Sequence, residues 1–230
     1  MKIQGLQKLT LLDFPGKMAC TLFTGGCNFQ CPFCQNGELV FHTGQQSQIT
    51  QEELYHFLEK RRSLLDGVCI SGGEPLMHPE IEELAKKVKE KGFAVKIDTN
   101  GSYPQRLIKM VREGLVDYVA MDIKNAQDKY AQTAGVANLD LSPILQSVAF
   151  LLSDQIDYEF RTTVVKEFHT IGDFEKIGDW LKGARRYFLQ QFVDSDCVIQ
   201  AGLHACSLEE MKAFQAVLSP QIPHTYIRGI

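Results

Sequence analysis

The sequence predicts an α/β fold with a parallel sheet. Short apolar runs of the kind that form buried strands alternate with segments of helical periodicity. Polar or cysteine side chains follow the first four of these runs, as expected where parallel strands end at one edge. An open doubly wound sheet and a complete or partial barrel both fit, although six strands are too few for an eight-stranded barrel. The expected strands are 19–23, 68–70, 94–97, 118–121, 160–165 and 187–191.

Capping and helix-breaking residues delimit the helices between these strands. Thr50 and Glu53 form a capping box that opens one helix. Pro79 is expected to begin the next helix, and Gly92 to end it. Further helices are expected over 104–112, 143–152, about 174–181 and, from a second capping box, about 207–218. A last strand over 226–230 is possible on the same pattern, but the sequence does not place this tail.

Composition excludes several classes of protein. The 230 residues carry a net charge of −4, which argues against a nucleic-acid binder. No apolar stretch reaches the roughly 18 residues that span a bilayer, and the first residues lack the apolar core of a signal peptide. We therefore expect one cytoplasmic domain with no membrane partner. An odd number of cysteines, seven, favours a metal site over disulfides.

Three cysteines lie close together after the first expected strand. Cys27, Cys31 and Cys34 have the spacing C-x3-C-x2-C and offer three thiolates to a metal centre. A cubic [4Fe–4S] cluster takes four ligands, so three cysteines would leave one iron open to a ligand that is not protein. A zinc site is the alternative, but it would need a fourth ligand, for which the nearest histidine is His42.

Several runs, together with this triplet, resemble the radical S-adenosylmethionine (SAM) enzymes. SGGEP at 71–75 resembles the GGEP motif of that superfamily. DTNG at 98–101 and MDIK at 121–124 resemble strand-end motifs of its glycyl-radical-activating branch. Three further runs most resemble the anaerobic ribonucleoside-triphosphate reductase activating proteins: 12–17, 64–67 and 159–165.

The resemblance implies a fold and a reaction. The fold would be a partial (β/α)6 parallel barrel, one radical SAM domain over 1–230 with a core of about 15–192 and a C-terminal extension of about 193–230. One [4Fe–4S] cluster would bind SAM and cleave it reductively to methionine and a 5′-deoxyadenosyl radical, which takes a hydrogen atom from a glycine of a partner enzyme. That partner would be an anaerobic ribonucleotide reductase, and flavodoxin or ferredoxin would supply the electron.

The resemblance also assigns site residues. Arg161 and the three cysteines form the expected catalytic set, with the cysteines as metal ligands. Backbone carbonyls at 71–73 and the Glu74 carboxylate would accept hydrogen bonds from the SAM amino group. Asp98, Thr99 and Asn100 would bond ribose hydroxyls, orient a neighbouring side chain, or bind a monovalent cation together with Asp122. The expected cofactor-binding set is Phe33, Ser71, Gly72, Gly73, Glu74, Asp98, Thr99, Asn100, Asp122 and Lys124.

Some of these assignments have plainer alternatives. Arg161 could simply pair with Asp122 or Glu159, and Phe33 could be a core aromatic. The spacing of Cys197, His204 and Cys206 fits no standard cluster. Activation of another glycyl-radical enzyme such as pyruvate formate-lyase, reaction with a small molecule, and a non-catalytic iron–sulfur protein remain open functions. The chain departs from the branch at Gln35, where histidine is frequent, and at 189–192, where some activating enzymes carry a histidine.

Overall fold

A computed structural model describes residues 3–41 and 49–230. His42, the histidine considered as a zinc ligand, lies outside the described residues. The strands are β1 Ile3–Thr10, β2 Ala19–Thr24, β3 Gly67–Gly72, β4 Ala94–Thr99, β5 Tyr118–Asp122, β6 Asp157–Val164, β7 Tyr187–Gln191 and β8 Thr225–Arg228. The helices are α1 Gly37–Phe41, α2 Gln51–Lys60, α3 Ile81–Glu90, α4 Pro104–Arg112, α5 Tyr130–Ala134, α6 Ser142–Leu152, α7 Ile171–Trp180 and α8 Leu208–Leu218.

The strands form one mostly parallel sheet in the order β1 to β8. The pairings β2–β3, β3–β4, β6–β7 and β7–β8 are parallel, whereas β1 pairs with β2 antiparallel. The α/β class is confirmed, and the six expected strands correspond to β2–β7. Strand β1 was not predicted, because its glutamines and lysine interrupt the apolar pattern and its middle residues 7–9 are exposed.

Two helix starts differ from the prediction by two residues or more. Helix α3 begins at Ile81 rather than at Pro79, after a separate 3₁₀ turn over Pro75–Met77. Helix α7 begins at Ile171 because Thr170 and Asp173 form a capping box that the sequence analysis overlooked. The predicted box at Ser207 does open α8, which runs to Leu218 as expected.

Contacts within the chain fall into two compact units. The first is Met1–Asn28 with Glu38–Ala120, and the second is Phe29–Gly37 with Met121–Ile230. The expectation of one domain with a C-terminal extension stays a prediction.

In the first unit, the run 12–17 contributes to the core. The ring of Phe14 is buried with Ala19 and Tyr118, and the two aromatic centroids lie 6.1 Å apart. A Cβ on Gly67 would come within 2.9 Å of that ring, so glycine is the residue that this packing allows. The resemblance at 12–17 therefore reflects, at least in Phe14, a packing requirement.

In the second unit, the chain after β7 packs on the preceding elements. Helix α8 lies against α7, where the rings of Phe214 and Phe174 have centroids 4.6 Å apart. Strand β8 continues the sheet beside β7. The tail that the sequence could not place is thus built into the sheet and its helical layer. Over the ranges 3–41 and 49–230, no helix has the length and apolar character required to cross a membrane.

Candidate active site

In the first unit, the SGGEP run lies directly against the loop that carries Cys27. The Gly73 N–H donates to the Thr24 carbonyl at 2.9 Å, and the Glu74 N–H donates to the Gly26 carbonyl at 2.8 Å. A Cβ on Gly73 would lie only 1.8 Å from the Gly26 carbonyl oxygen. The glycine therefore permits the backbone immediately before Cys27 to pack against the end of β3.

The Glu74 carboxylate is fully buried and receives three hydrogen bonds from the protein. Its Oε1 accepts from the Thr99 hydroxyl at 2.8 Å and the Leu76 N–H at 3.0 Å, and its Oε2 accepts from the Asn100 N–H at 2.7 Å. These bonds join the turn after β3 to the end of β4. Since a carboxylate accepts about four hydrogen bonds, most of its capacity is used within the protein. The expected bond from Glu74 to SAM stays a prediction.

Asn100 connects the end of β4 to the first cysteine. Its side-chain amide lies 3.8 Å from the Cys27 sulfur and donates to the Asn28 side-chain oxygen at 2.9 Å. Its own oxygen accepts from the Ser102 N–H at 2.9 Å, which fixes the orientation of the amide. Amide donors directed at a cysteine sulfur stabilise the thiolate and tune any metal bound to it.

In the second unit, Asp122, Lys124 and Arg161 form a charged cluster. Asp122 accepts from the Arg161 Nε at 2.6 Å and from the Lys124 Nζ at 2.9 Å. Partial burial alone would raise the pKa of the Asp122 carboxyl, but the two cations outweigh it and hold the pKa well below its usual range. The three side chains together carry one excess positive charge. Of the two partners considered for Arg161, the structure shows Asp122; Glu159 is paired with Arg228 at 3.0 Å.

The expected monovalent cation gains no support from these contacts. Asp122 already has Arg161 and Lys124, and Asp98 in the first unit has the buried ammonium of Lys96. Each carboxylate is therefore neutralised by the protein. The family-derived expectation of a cation was not supported, because it took the carboxylates into account without the amines around them.

Cys31 and Cys34 belong to the second unit and form a tight turn. The Cys34 N–H donates to the Cys31 carbonyl at 3.0 Å. Burial raises the pKa of the Cys31 thiol to about 11, although the positive charge of Lys124 lowers it in part. Burial also raises the pKa of the Cys34 thiol. A Cβ on Gly135, at the end of α5, would lie 2.1 Å from the Gln30 carbonyl oxygen, so this glycine lets α5 support the loop.

The segment 193–200 is attached to the cysteine loop by three hydrogen bonds. From the loop, the Gly37 N–H donates to the Cys197 carbonyl at 3.2 Å and the Gln35 side-chain amide donates to the Val193 carbonyl at 2.9 Å. From the segment, the Gln200 N–H donates to the Pro32 carbonyl at 2.9 Å. Gln35, one of the departures from the glycyl-radical branch, thus holds this segment on the loop. These contacts leave no local signal in the sequence, since they join positions more than 150 residues apart.

His169 is a residue that the sequence analysis missed. Its Nε2 lies 2.9 Å from the Lys124 carbonyl and its Nδ1 lies 3.1 Å from the Val165 nitrogen, which fits the neutral ring with the proton on Nε2. The ring stacks on Phe174 at 5.7 Å and meets the Phe33 ring edge-on at 6.4 Å. Phe33 is accordingly a packed core aromatic, and its expected contact with SAM stays a prediction. No pattern in the sequence distinguishes His169 from an ordinary loop histidine.

Burial lowers the pKa of His169, and a loss of stability in acid follows from this shift. The unfolded chain binds a proton near pH 6.5, whereas the folded chain resists it, so the stabilising contribution is present above that pH and is lost as pH falls. We expect the thermal midpoint of His169→Gln to fall less between pH 7.5 and pH 5 than that of the wild type. The exposed His56→Gln is the matched control and should retain the wild-type dependence. Equal curves for wild type and His169→Gln would contradict the assignment.

The donor set fits an iron–sulfur cluster in its chemistry. Three thiols on one loop are soft ligands of the kind that such clusters use. Cys27 lies in the first unit and the other two in the second. Within the part of the chain that the structure describes, no group of three His, Cys, Asp or Glu is arranged as a ready metal site, so the ligand roles stay predictions. At the tail, where the spacing predicted no standard cluster, Cys197 and His204 are exposed and Cys206 is buried.

Comparison with known proteins decides the family. The model of the radical SAM superfamily matches residues 21–181, more than half of the chain. The chain belongs to the radical SAM superfamily. It is therefore a radical SAM enzyme, and the family implies a [4Fe–4S] cluster and SAM as its cofactors.

Individual relatives refine this placement. A Methanocaldococcus jannaschii protein provisionally named a glycyl-radical enzyme activating enzyme is 33% identical over 84% of this chain and 81% of its own length. A 7-carboxy-7-deazaguanine synthase of Aquifex aeolicus is 27% identical over 62% of this chain and 58% of its own. The crystal structure of Streptococcus suis SuiB bound to SAM matches 91% of this chain with a TM-score of 0.67 at 12% identity. This chain spans about half (52%) of SuiB, a likeness that concerns the fold alone and agrees with the predicted radical SAM type.

Proposed function

We propose that this radical SAM enzyme activates a glycyl-radical enzyme, and that its target is an anaerobic ribonucleoside-triphosphate reductase. The observation that carries the proposal is the 33% identity to the archaeal activating enzyme over most of both chains. The runs 12–17, 64–67 and 159–165 support the choice of reductase. The choice of target thus rests on the sequence resemblance.

The proposed cofactors divide the work with the protein. When bound, the cluster and SAM supply a one-electron cleavage of the sulfonium that yields a 5′-deoxyadenosyl radical. A flavodoxin or ferredoxin is the proposed source of the electron. The task of the protein is then to bind SAM in one orientation, exclude water and admit a glycine of the partner.

The charged cluster of the second unit suits the binding of an amino-acid carboxylate. Lys124 and Arg161 carry two positive charges, and Asp122 offsets one of them. The remaining charge would stabilise an anion such as the methionine carboxylate of SAM. Asp122 also holds both cations in place, so in this proposal it orients them and leaves the ligand contact to Lys124 and Arg161.

The backbone around SGGEP suits the SAM amino group. Carbonyl oxygens at 71–73 are the proposed acceptors, and Glu74 fixes the turn that presents them through its bonds to Thr99 and Asn100. Ribose hydroxyls are the proposed partners of the strand-end residues Asp98 and Thr99. The proposed iron ligands are Cys27, Cys31 and Cys34.

The function is tested by the fate of the radical. Reconstituted enzyme, reductant and SAM are combined anaerobically with the reductase or, separately, with pyruvate formate-lyase, and each mixture is examined by EPR. We expect an oxygen-sensitive, glycine-centred doublet on the reductase, absent with Cys31→Ala and with a reductase whose glycine is replaced by alanine. A doublet on pyruvate formate-lyase alone would contradict the reductase as the target, but it would still support activation of a glycyl-radical enzyme.

A reaction with a small molecule is the second candidate, since the Aquifex relative is a 7-carboxy-7-deazaguanine synthase. To distinguish this reaction from activation of a protein, the protein partner in the same mixtures is replaced by a precursor of 7-carboxy-7-deazaguanine. If 5′-deoxyadenosine accumulated faster with that compound than with the reductase, and no doublet formed, the activase proposal would be overturned.

A further inference from the structure

The first unit contains a buried ion pair that no sequence expectation included. The Lys96 ammonium, with its side chain 1% exposed, contacts the Asp98 carboxylate two residues along β4. Lysine is almost never buried without a partner, because an unpaired ammonium loses its hydration. In this pair, each of the two charged groups has an opposite charge beside it.

The surroundings of the pair are a short row of polar groups on two neighbouring strands. Cys69 is the register partner of Lys96 in the β3–β4 ladder, and its sulfur lies 3.8 Å from the Lys96 Nζ. The other oxygen of Asp98 accepts from the Ser71 hydroxyl at 3.0 Å. Lys96 thus holds the carboxylate that in turn fixes the side chain at the start of SGGEP.

This arrangement performs the task for which a metal ion was expected. A monovalent cation beside Asp98 would neutralise the carboxylate and order the strand ends around it. Lys96 places an ammonium group, tethered to β4, against the same carboxylate. A tethered charge needs no ion from solution, and a second cation beside it would be repelled.

We propose that Lys96 is a built-in cation that replaces a monovalent metal ion at Asp98, so that the protein requires no such ion there. Lys96 acts through Asp98 and Ser71 and is a positioning residue. The inference concerns the first unit alone and does not rest on the glycyl-radical assignment.

The test compares salts on the purified apo protein. Thermal midpoints are measured at equal ionic strength, about 0.1 M, in chlorides of sodium, potassium, ammonium and tetramethylammonium, the last being too large to enter a buried site. We expect the wild type to show one midpoint in all four. A wild type stabilised by sodium or potassium over tetramethylammonium would overturn the proposal, because Asp98 would then bind an ion of its own.

The variant Lys96→Met removes the charge and keeps most of the side-chain volume. In tetramethylammonium its midpoint should fall by about 10 °C, since it leaves the Asp98 carboxylate, which is 11% exposed, without its cation. Ammonium or potassium should recover about 3 to 5 °C through binding to the vacated position. Lys96→Met with a lowered midpoint that no cation raises would overturn the proposal.

The double variant Lys96→Met/Asp98→Asn is the matched control. It has neither charge, so it should be more stable than Lys96→Met and should respond equally to all four salts. A cation-specific gain in the double variant would overturn the proposal, since the ion would then bind elsewhere. If Lys96→Met does not fold, the wild-type comparison and the double variant still decide the question.

Discussion

The variant Gly73→Ala is expected to unfold far more easily than the wild type and to lose its capacity for iron. The added Cβ would lie 1.8 Å from the oxygen and 2.6 Å from the carbon of the Gly26 carbonyl. Both are backbone atoms next to Cys27, so no side-chain rotation relieves the clash. We expect a loss of about 4 kcal/mol or more in unfolding free energy, which exceeds the cost of most single substitutions because the backbone itself must move. Chemical denaturation of the apo protein measures it.

The control for this variant is Gly172→Ala in α7. There the new Cβ would meet its nearest neighbour, the Thr170 hydroxyl, at 4.0 Å. Alanine is the better helix former, so this change should be neutral or should stabilise by up to about 1 kcal/mol. A small loss for Gly73→Ala, equal to the control, would show that SGGEP does not need to approach the Cys27 loop so closely.

The variant Glu74→Ala is expected to destabilise the protein even in the absence of SAM. It removes the acceptor of three buried donors, the Thr99 hydroxyl and the N–H groups of Leu76 and Asn100. Each buried donor left without a partner costs about 1 to 3 kcal/mol, so a loss of about 3 kcal/mol or more is expected. Denaturation of the apo protein tests this, because a carboxylate that served SAM alone would leave apo stability unchanged.

Two further variants sharpen the assignment of Glu74. Glu74→Gln keeps one acceptor oxygen but places an amide NH2 against the remaining donors. Its free energy of unfolding should therefore lie between those of the wild type and Glu74→Ala. Exposed Glu52→Ala, in the first turn of α2, should cost less than about 1 kcal/mol. If Glu74→Ala weakened SAM binding alone and left the apo protein intact, the direct contact expected from the sequence would be correct and the positioning role wrong.

Local patterns predicted the centre of the fold well. The apolar runs of β2–β7 are short, continuous and bounded by turn residues, so hydrophobic pattern alone located them. The capping boxes at Thr50 and Ser207 located two helix starts to the residue. Strand β1 escaped because it is an edge strand with exposed polar residues, which carries little of the apolar signal of a buried strand.

The strand-end pattern located polar residues that lie together in the structure, although their roles stay predictions, and the contacts between distant positions were not predictable from it. Asp122, Lys124 and Arg161 do come together, since β5 and β6 bring their side chains into contact. The pairing of Lys96 with Asp98 was not predicted, because in the sequence Lys96 is only one polar residue within an apolar strand. His169 and the segment 193–200 act through contacts between distant positions, which periodicity does not encode.

The most direct test of radical SAM chemistry is the yield of 5′-deoxyadenosine. The protein is reconstituted anaerobically with iron and sulfide, reduced and supplied with SAM, alongside Cys31→Ala and the exposed-cysteine control Cys197→Ser. We predict 5′-deoxyadenosine and methionine from the wild type and from Cys197→Ser, and none from Cys31→Ala. An intact cluster without SAM cleavage in the wild type, or equal product from Cys31→Ala, would contradict the account and indicate an electron carrier or a scaffold.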